Sequence, residues 1–564
     1  MLLAAAATLA WLVAESGDMA GADGAARAMR AVPAVLRGTV FGHVVLLRLA
    51  ALALAALLLR RDRGEHPWPP ALLAGAAAAL QAGHGHALAM QAGPSPLLAS
   101  EALHLVAAGA WLGGLLPLLL LVASGPLDAA AAASRRFSPL GTACVLALAG
   151  TALLQGWVLI GGLPGLVGTG YGLVALAKLA LFLTLLGLAA RNRFRLTPAL
   201  AGPAPEAARR GLCRSIAAET AAGLLVVLAA GLLTSLPPAM HVQPLWPFAL
   251  RPSLETIQEA PEFQREAALA VLALCAALAL AALGALSRRV RWPALGAAAT
   301  LAWLAAPHLG LFLAEAYPTS YYRSPTGFAS ASIARGAALF RENCASCHGA
   351  DGSGDGPAAK GLPVPPANLL AGHLLMHGDG ELYWWLTDGI AAPDGSRAMP
   401  GFAGALDADA RWSLIDYIRA RNLGVAMRET GRWPQPVQAP GLEADCGRGR
   451  TVALAALRGR ILRLAFGAGT VVTVQDASAA PGGEPCAAGG DAVALAYATV
   501  TGIGSGAALA GAQLLVDGDG WLRALQRPGA APGWDDPRAL AAEVAAIRAH
   551  PLAAVRSSHA GMAM

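Results

Sequence analysis

Cys344-Ala-Ser-Cys347-His348 sets two thiols three positions apart with an imidazole immediately after them. Covalent attachment of a c-type haem needs this spacing: the thiols add across the two vinyl groups and the histidine becomes one axial ligand of the iron. A redox dithiol, or half of a zinc site that happens to precede a histidine, is the competing chemistry of the same residues. Iron that transfers electrons usually carries a second axial ligand. Met399, in Ser396-Arg-Ala-Met399-Pro-Gly-Phe402, offers a thioether on a loop-like stretch downstream, and such a ligand favours reduced iron. His373, Met376 and His377, in Gly372-His-Leu-Leu-Met-His377, are rival sixth ligands; otherwise they read as exposed polar residues on a helix.

These groups need a scaffold. The polar, Gly- and Pro-rich stretch 349–368 reads as a loop wrapping the porphyrin, followed by a short helix over 381–389. Residues 407–422 form an amphipathic helix with Leu414, Ile415, Tyr417 and Ile418 inward, and Asp409, Asp416, Arg419 and Arg421 left in water. Its partner is a helix over 332–343 offering Gly336, Leu339 and Phe340 just before the cysteines. The region 326–424 resembles a small, all-α class I c-type cytochrome, and that resemblance implies that Gly336 and Phe340 cross Tyr417.

The rest of the chain is too apolar for soluble domains alone. It has 564 residues, 56% hydrophobic and only 13% charged, with a net charge of +6. Apolar runs of about 20 residues, enough to cross a bilayer core, fall at 40–59, 71–90, 103–123, 140–160, 171–190, 216–233, 267–286 and 293–313. A shorter run, 2–14, is either a clipped first span or an uncleaved signal-like segment. The expectation is an all-α polytopic membrane bundle of 8–9 spans over 1–315.

Arginines orient it. Arg60, Arg61 and Arg63; Arg135 and Arg136; Arg191, Arg193, Arg195, Arg209, Arg210 and Arg214; and Arg288, Arg289 and Arg291 fall in alternate loops, as cytoplasmic loops should. Arg27, Arg30 and Arg37 are the exception, because the same threading leaves them outside. It also leaves the haem motif and everything after it outside the cytoplasm, where the bacterial c-type cytochromes that this region resembles carry their haem; the resemblance implies an inner-membrane protein with a periplasmic haem domain. The positive charge is accounted for by the cytoplasmic arginines, so no nucleic-acid partner is called for.

On this threading His84, His86, His104 and His241 gather near the outer surface with Met19, Met90 and Met240, while His43 and His308 sit in the outer halves of their helices. Imidazole and thioether together suit copper, Cu(I) especially. The alternative is histidines that snorkel or bridge helices. The stretch 11–239 resembles the copper resistance protein D (CopD) family. Its motifs stand as Gly85-His86-Ala87, Glu101-Ala-Leu-His104, Ala110-Trp111-Leu-Gly113-Gly114, Tyr171-Gly172 with Lys178, Asn192-Arg193, Arg214-Ser-Ile-Ala-Ala-Glu219 and Leu236-Pro237-Pro238. The resemblance implies copper handling at the inner membrane. Arg48, Lys178 and Glu219 are costly charges in a bilayer and read either as bundle-stabilising pairs or as a polar path for an ion.

Beyond the cytochrome-like region, 435–555 shows β-like runs at 461–466, 470–474, 492–499, 513–516 and 521–526, with a helix over 537–550. This order resembles a small α/β, thioredoxin-like domain at fold level, without a CxxC. Cys446 and Cys486 are positioned to pair in an oxidising compartment, or remain two free thiols; Cys144, Cys213 and Cys275 read as packing residues. Residues 556–564, with His559, Met562 and Met564, form a flexible tail, either copper-catching or without function.

No triad, phosphate loop or paired-carboxylate site points to an organic substrate, so an electron carrier is expected over a substrate-specific enzyme, with copper reduction left open. Two functions stay open. One is an inner-membrane copper-binding or copper-transport protein whose covalent haem c exchanges single electrons with an unidentified redox partner. The other is an electron-transfer cytochrome whose membrane part is an anchor or a quinol-facing module, in which paired histidines would hold haem b.

Overall fold

The computed structural model describes residues 1–61, 66–84, 95–447, 449–477 and 485–552. The chain divides into two units, Met1–Val242 and Gln243–Met564. The boundary between the units falls within the region 1–315, and the last two apolar helices lie in the second unit.

In the first unit the helices are α1 Leu2–Met19, α2 Ala25–Gly38, α3 Val40–Arg61, α4 Trp68–Ala79, α5 Ser95–Ser124, α6 Leu127–Ile160, α7 Gly170–Arg191 and α8 Pro205–Ser235. Trp111 and Leu115 of α5, Cys144 and Leu148 of α6, Leu185 of α7, and Leu212 and Ile216 of α8 form its main core. Outward, Leu146, Trp157 and Leu228 are exposed, a surface that only a lipid solvent would favour. Eight helices among the described residues are long and apolar enough to cross a membrane.

Seven of them correspond to expected spans, and the eighth is the N-terminal helix. The run at 2–14 is the start of an 18-residue helix, and Leu12 packs in a cluster with Val35, Phe41 and Val45, so it belongs to the bundle. The expected span 71–90 is represented by α4 and a 3-10 turn, Leu80–His84, and its remainder lies outside the described residues. Between α1 and α3 lies an unanticipated amphipathic helix, α2, whose Arg27, Arg30 and Arg37 are exposed while Ala28 and Val35 are buried.

In the second unit, β1 Leu250–Pro252 precedes and β2 Leu313–Glu315 succeeds a helical hairpin of α9 Gln264–Leu286 and α10 Arg291–Ala305. The strands pair antiparallel, Leu250 with Glu315, so the hairpin begins and ends on the same side. Ala267, Ala270, Ala277 and Gly284 of α9, with Ala294 and Ala298 of α10, are buried. Small side chains let helices approach closely where no hydrophobic effect drives them together.

The cytochrome-like region has α11 Ser330–Asn343, a single turn Ala345–His348, α12 Asp379–Asp388, the ribbon β3 Gly389–Ala391 with β4 Arg397–Pro400, and α13 Ala408–Thr430. Helices α11 and α13 cross where Gly336 lies: a β-carbon there would sit 1.9 Å from the Ser413 carbonyl oxygen. One turn on, the Phe340 and Tyr417 rings are 5.4 Å apart. Two residues expected in water are inside. Asp416 is 3% exposed and accepts a 2.5 Å hydrogen bond from Thr326 Oγ1. Arg419 pairs with Asp379 at 3.0 Å and donates to the carbonyls of Leu374 and His377. Helical periodicity missed both because the covering segments, 322–328 and 371–379, are irregular and come from elsewhere in the chain.

Helix α13 is longer than its amphipathic stretch because its last turns support a second layer. That layer is an antiparallel sheet of seven strands, in the order β11-β10-β7-β8-β9-β5-β6, built from β5 Glu443–Asp445, β6 Thr451–Ala453, β7 Leu462–Phe466, β8 Val471–Asp476, β9 Cys486–Gly489, β10 Gln513–Val516 and β11 Leu522–Gln526. The run 492–499, read as a strand, is instead helix α14, Asp491–Thr501. Its alternating alanines fit either period, but alanine favours helix, Asp491 suits the N-terminus, and Gly502 at φ 67° stops the chain. All the sheet pairings among the described strands are antiparallel, so no parallel βαβ pair supports the thioredoxin-like arrangement. Leu464, Phe466, Val472 and Leu514 face α14; Leu515 faces the other way, toward α15 Pro537–Ala549. Cys446 and Cys486 form a disulfide, and Cys144 is a buried free thiol.

The sheet and the cytochrome-like helices share one core: Ile333, Ala420 and Leu423 join Tyr497, Val500 and the inner strand residues. At the contact, a β-carbon on Gly424 would lie 1.8 Å from the Thr499 carbonyl oxygen. Gly424→Ala should therefore destabilise the pairing by about 1–3 kcal/mol, the range for overpacking, and increase proteolysis of the C-terminal region in the solubilised protein; wild-type resistance would contradict the shared core. Burial outweighs the hydrogen bonds to Asp416 and pushes its carboxyl up to about 6 from an ordinary 3.8. A carboxyl that binds its proton more tightly when folded contributes stability below about pH 4 and loses it as pH rises through about 6. Asp416→Asn should match wild type near pH 4 but exceed it by on the order of 1–3 kcal/mol near pH 8 in thermal unfolding; a pH-independent difference would rule out this titration.

Candidate functional site

Helix α11 ends at Cys344, and the next turn brings Cys347 and His348 back over it, with their amides 3.2 and 2.9 Å from the Cys344 carbonyl oxygen. Both thiols are free. Cys344 is buried beside Phe340, Leu374, Leu382 and Leu386; burial, with the Cys347 sulfur nearby, pushes its thiol up to about 11. Cys347 and His348 are only partly covered. Cys344 thus sits within an apolar cluster, with Cys347 half-buried one turn on.

The loop after the motif is held to it by backbone bonds, Gly354 N to His348 O at 2.7 Å, Gly356 N to Cys347 O at 3.1 Å and Ala358 N to Ser346 O at 2.9 Å. It returns Ala367 so that its carbonyl oxygen lies 2.9 Å from His348 Nδ1. With Nδ1–H donating, the Nε2 lone pair is free for a metal, as axial histidines require. Met399 lies on β4 opposite Ile390 and packs against the cluster containing Cys344. These residues fit a covalently held haem: two free thiols, an oriented imidazole and a thioether around one apolar cluster.

The rival ligands lie elsewhere on the same region. His373 and Met376 are exposed, and the His377 ring packs edge-on to Trp385, with centroids 4.9 Å apart. His377 Nδ1 lies 3.3 Å from Glu381 Oε2. Glu381 is buried and also receives Arg251 Nη2 at 2.7 Å on its other oxygen; Arg251 in turn reaches Glu255 at 2.6 Å. Burial would push the Glu381 carboxyl up, but the hydrogen bonds from His377, Arg251 and Gly378 N, with the Arg251 charge, hold it below its ordinary value. Sequence reading missed this node, because Arg251 and Glu381 share no local pattern; only two isolated charges in apolar surroundings hinted at it.

Only some of the expected copper ligands lie among the described residues. His86 and Met90 lie outside the described residues, as does the tail 556–564 with His559, Met562 and Met564, and for His84 only the backbone is described. His104 Nδ1 is 2.7 Å from Thr151 Oγ1, tying α5 to α6. Met19 ends α1, exposed; Met240 and His241 occupy a 3-10 turn after α8, with His241 exposed. Among the described residues no group of three His, Cys, Asp or Glu side chains converges on a metal position.

Of the intramembrane charges, Glu219 is 2% exposed and accepts a hydrogen bond from Asn192, at the start of a π-helical turn, Asn192–Leu196. The pair lines a cavity of about 240 Å³ with Trp111, Phe137, Arg193 and Phe194. Glu219 is thus a bundle-tying group that also faces open space. Lys178 has no hydrogen bond or ion pair among the described residues that would assign it to either role.

Residues 131–233 match the family model Copper resistance protein D, residues 1–96 the Copper resistance protein D-like, N-terminal domain, and residues 331–418 Cytochrome C oxidase, cbb3-type, subunit III. The Copper transport protein CutJ of Bacillus subtilis (strain 168) is 33% identical over 157 residues, covering 27% of this chain and 27% of that protein. Copper resistance protein D of Pseudomonas syringae pv. tomato is 32% identical over 238 residues, 39% of this chain and 76% of that protein. With those motifs threaded through one helical bundle, and a haem-binding fold continuing from it, the chain belongs to the copper resistance protein D family and joins its membrane domain to a cytochrome c domain.

Proposed function

We propose that this protein handles copper at the bacterial inner membrane, binding or passing it, and carries one c-type haem for one-electron transfer in the periplasm. The observation that carries the reading is the joining, in one polypeptide, of a copper-family membrane bundle to a cytochrome c domain. Cys344 and Cys347 would hold the haem by thioether bonds, and His348 and Met399 would ligate its iron. The group supplies reversible one-electron chemistry. The chain's own part is to fix the His348 tautomer through Ala367 and to exclude water with Phe340, Leu382 and Leu386. His84, His86, His104, His241, Met240 and Met19 remain the candidate copper ligands of the membrane domain.

Periplasmic placement is supported by the alternation of arginine-bearing loops and by the β1–β2 pairing, which returns the chain after α10 to the side it left before α9. The Cys446–Cys486 disulfide fits an oxidising compartment. An electron donor or acceptor in the periplasm or membrane completes the function.

The purified full-length protein should contain one c-type haem with copper; b-type haem without copper would instead favour the quinol-facing alternative. Cys344→Ser with Cys347→Ser should abolish haem staining on a denaturing gel, whereas Met399→Ala should keep the stain and convert the low-spin spectrum to high-spin. Retention of a low-spin spectrum in Met399→Ala would remove Met399 as a ligand. His86→Ala with His104→Ala should lower cellular copper accumulation, and unchanged accumulation would count against transport through those residues.

A further inference from the structure

The turn before α12 carries three metal-binding side chains that haem attachment leaves unused. His373 lies in a 3-10 turn, Gly372–Leu375, and the Met376 amide bonds back to the His373 carbonyl oxygen at 2.9 Å. Met376 and His377 follow directly on the end of that turn, three and four positions after His373. The two imidazole centroids are 6.0 Å apart. Metal–imidazole bonds of about 2.0–2.1 Å place two rings on one ion roughly 6 Å apart when the nitrogens approach at a wide angle. The observed ring spacing matches that separation.

Three further contacts make this turn a prepared site. Glu381 Oε2 faces His377 Nδ1 at 3.3 Å, so Nδ1–H donates and Nε2 is left free, the carboxylate–histidine support typical of metal ligands. Arg419 donates to the carbonyls of Leu374 and His377, fixing the backbone between the donors. The Trp385 ring restrains His377 from the side. Met376 remains 40% exposed, leaving its thioether open to an arriving ion.

We infer that His373, Met376 and His377 form a surface Cu(I) site on the cytochrome domain. Two imidazoles and a thioether select a soft metal: hard cations prefer oxygen, and zinc sites are completed by thiolate, imidazole or carboxylate rather than thioether. Leu374, between the two histidines, is buried in the cluster that contains Cys344, so the site backs directly onto the wall of the haem pocket. The inference rests on the copper-handling function proposed for the chain and adds to it a copper position outside the membrane domain.

The test uses the full-length haem protein in detergent, titrated under reducing conditions with Cu(I) against a chromophoric Cu(I) chelator. His373→Ala with His377→Ala should bind one copper fewer per chain than wild type while the haem spectrum stays the same. Met376→Leu, which preserves size and apolarity, should weaken that one copper by roughly tenfold or more, a ligand loss at least matching outer-shell losses. Unchanged copper stoichiometry in the double variant, with wild type binding copper, overturns this site alone. A changed haem spectrum overturns it by making these residues iron ligands, and preferential zinc binding overturns the choice of metal. Failure of wild type to bind any copper overturns both this site and the copper-handling function.

Discussion

A carboxylate with 4% of its side chain exposed cannot remain charged without a cation, and Glu381 has one in Arg251. That demand links parts of the second unit which no local pattern connects. Arg251 belongs to β1, whose pairing with β2 closes the α9–α10 hairpin, while Glu381 opens α12 of the cytochrome domain. Removing either partner would strand the other's charge, so the two elements hold a common position. The second Glu381 oxygen aligns His377, and one side chain thereby orients the domain and one of its imidazoles.

The same domain is held from its other face by apolar burial. Helices α11 and α13 meet each other through Gly336 and meet the C-terminal sheet through Ile333, Ala420, Leu423 and Gly424. The C-terminal region is a second layer on the cytochrome, and α14 supplies the face it rests on. A small haem domain buries too little surface to be strongly stable alone; the shared core enlarges it. The cost falls on Asp416, a polar group enclosed at the edge of the helix crossing.

Within the membrane unit the logic differs, because side chains facing outward meet no water. Polar groups there turn to one another: His104 to Thr151, Asn192 to Glu219. Asn192 opens the π turn and its amide reaches Glu219, and a cavity lies beside the pair. Several motif residues of the copper resistance family, Trp111, Asn192, Arg193 and Glu219, line that one space. Their separation along the chain conceals this.

Covalent chemistry was readable from residue order, because the haem motif is local: one turn of backbone delivers Cys344, Cys347 and His348 together. Most of the membrane spans were likewise legible, since their length and apolarity are set by the solvent and not by partners. The run at 492–499 was misread because alternating alanines satisfy the period of a strand and of a helix equally; alanine's helix propensity, Asp491 at the N-terminus and Gly502 at the stop, with packing against α13 and the sheet, make it a helix. Sequence alone determined that this chain enters a bilayer and can bind haem through its own thiols. Tertiary structure alone decided that Asp416 and Arg419 lie inside, that Arg251 answers Glu381, and that His373 and His377 stand together, because each depends on a neighbour brought from elsewhere in the chain or on the particular turn of the backbone.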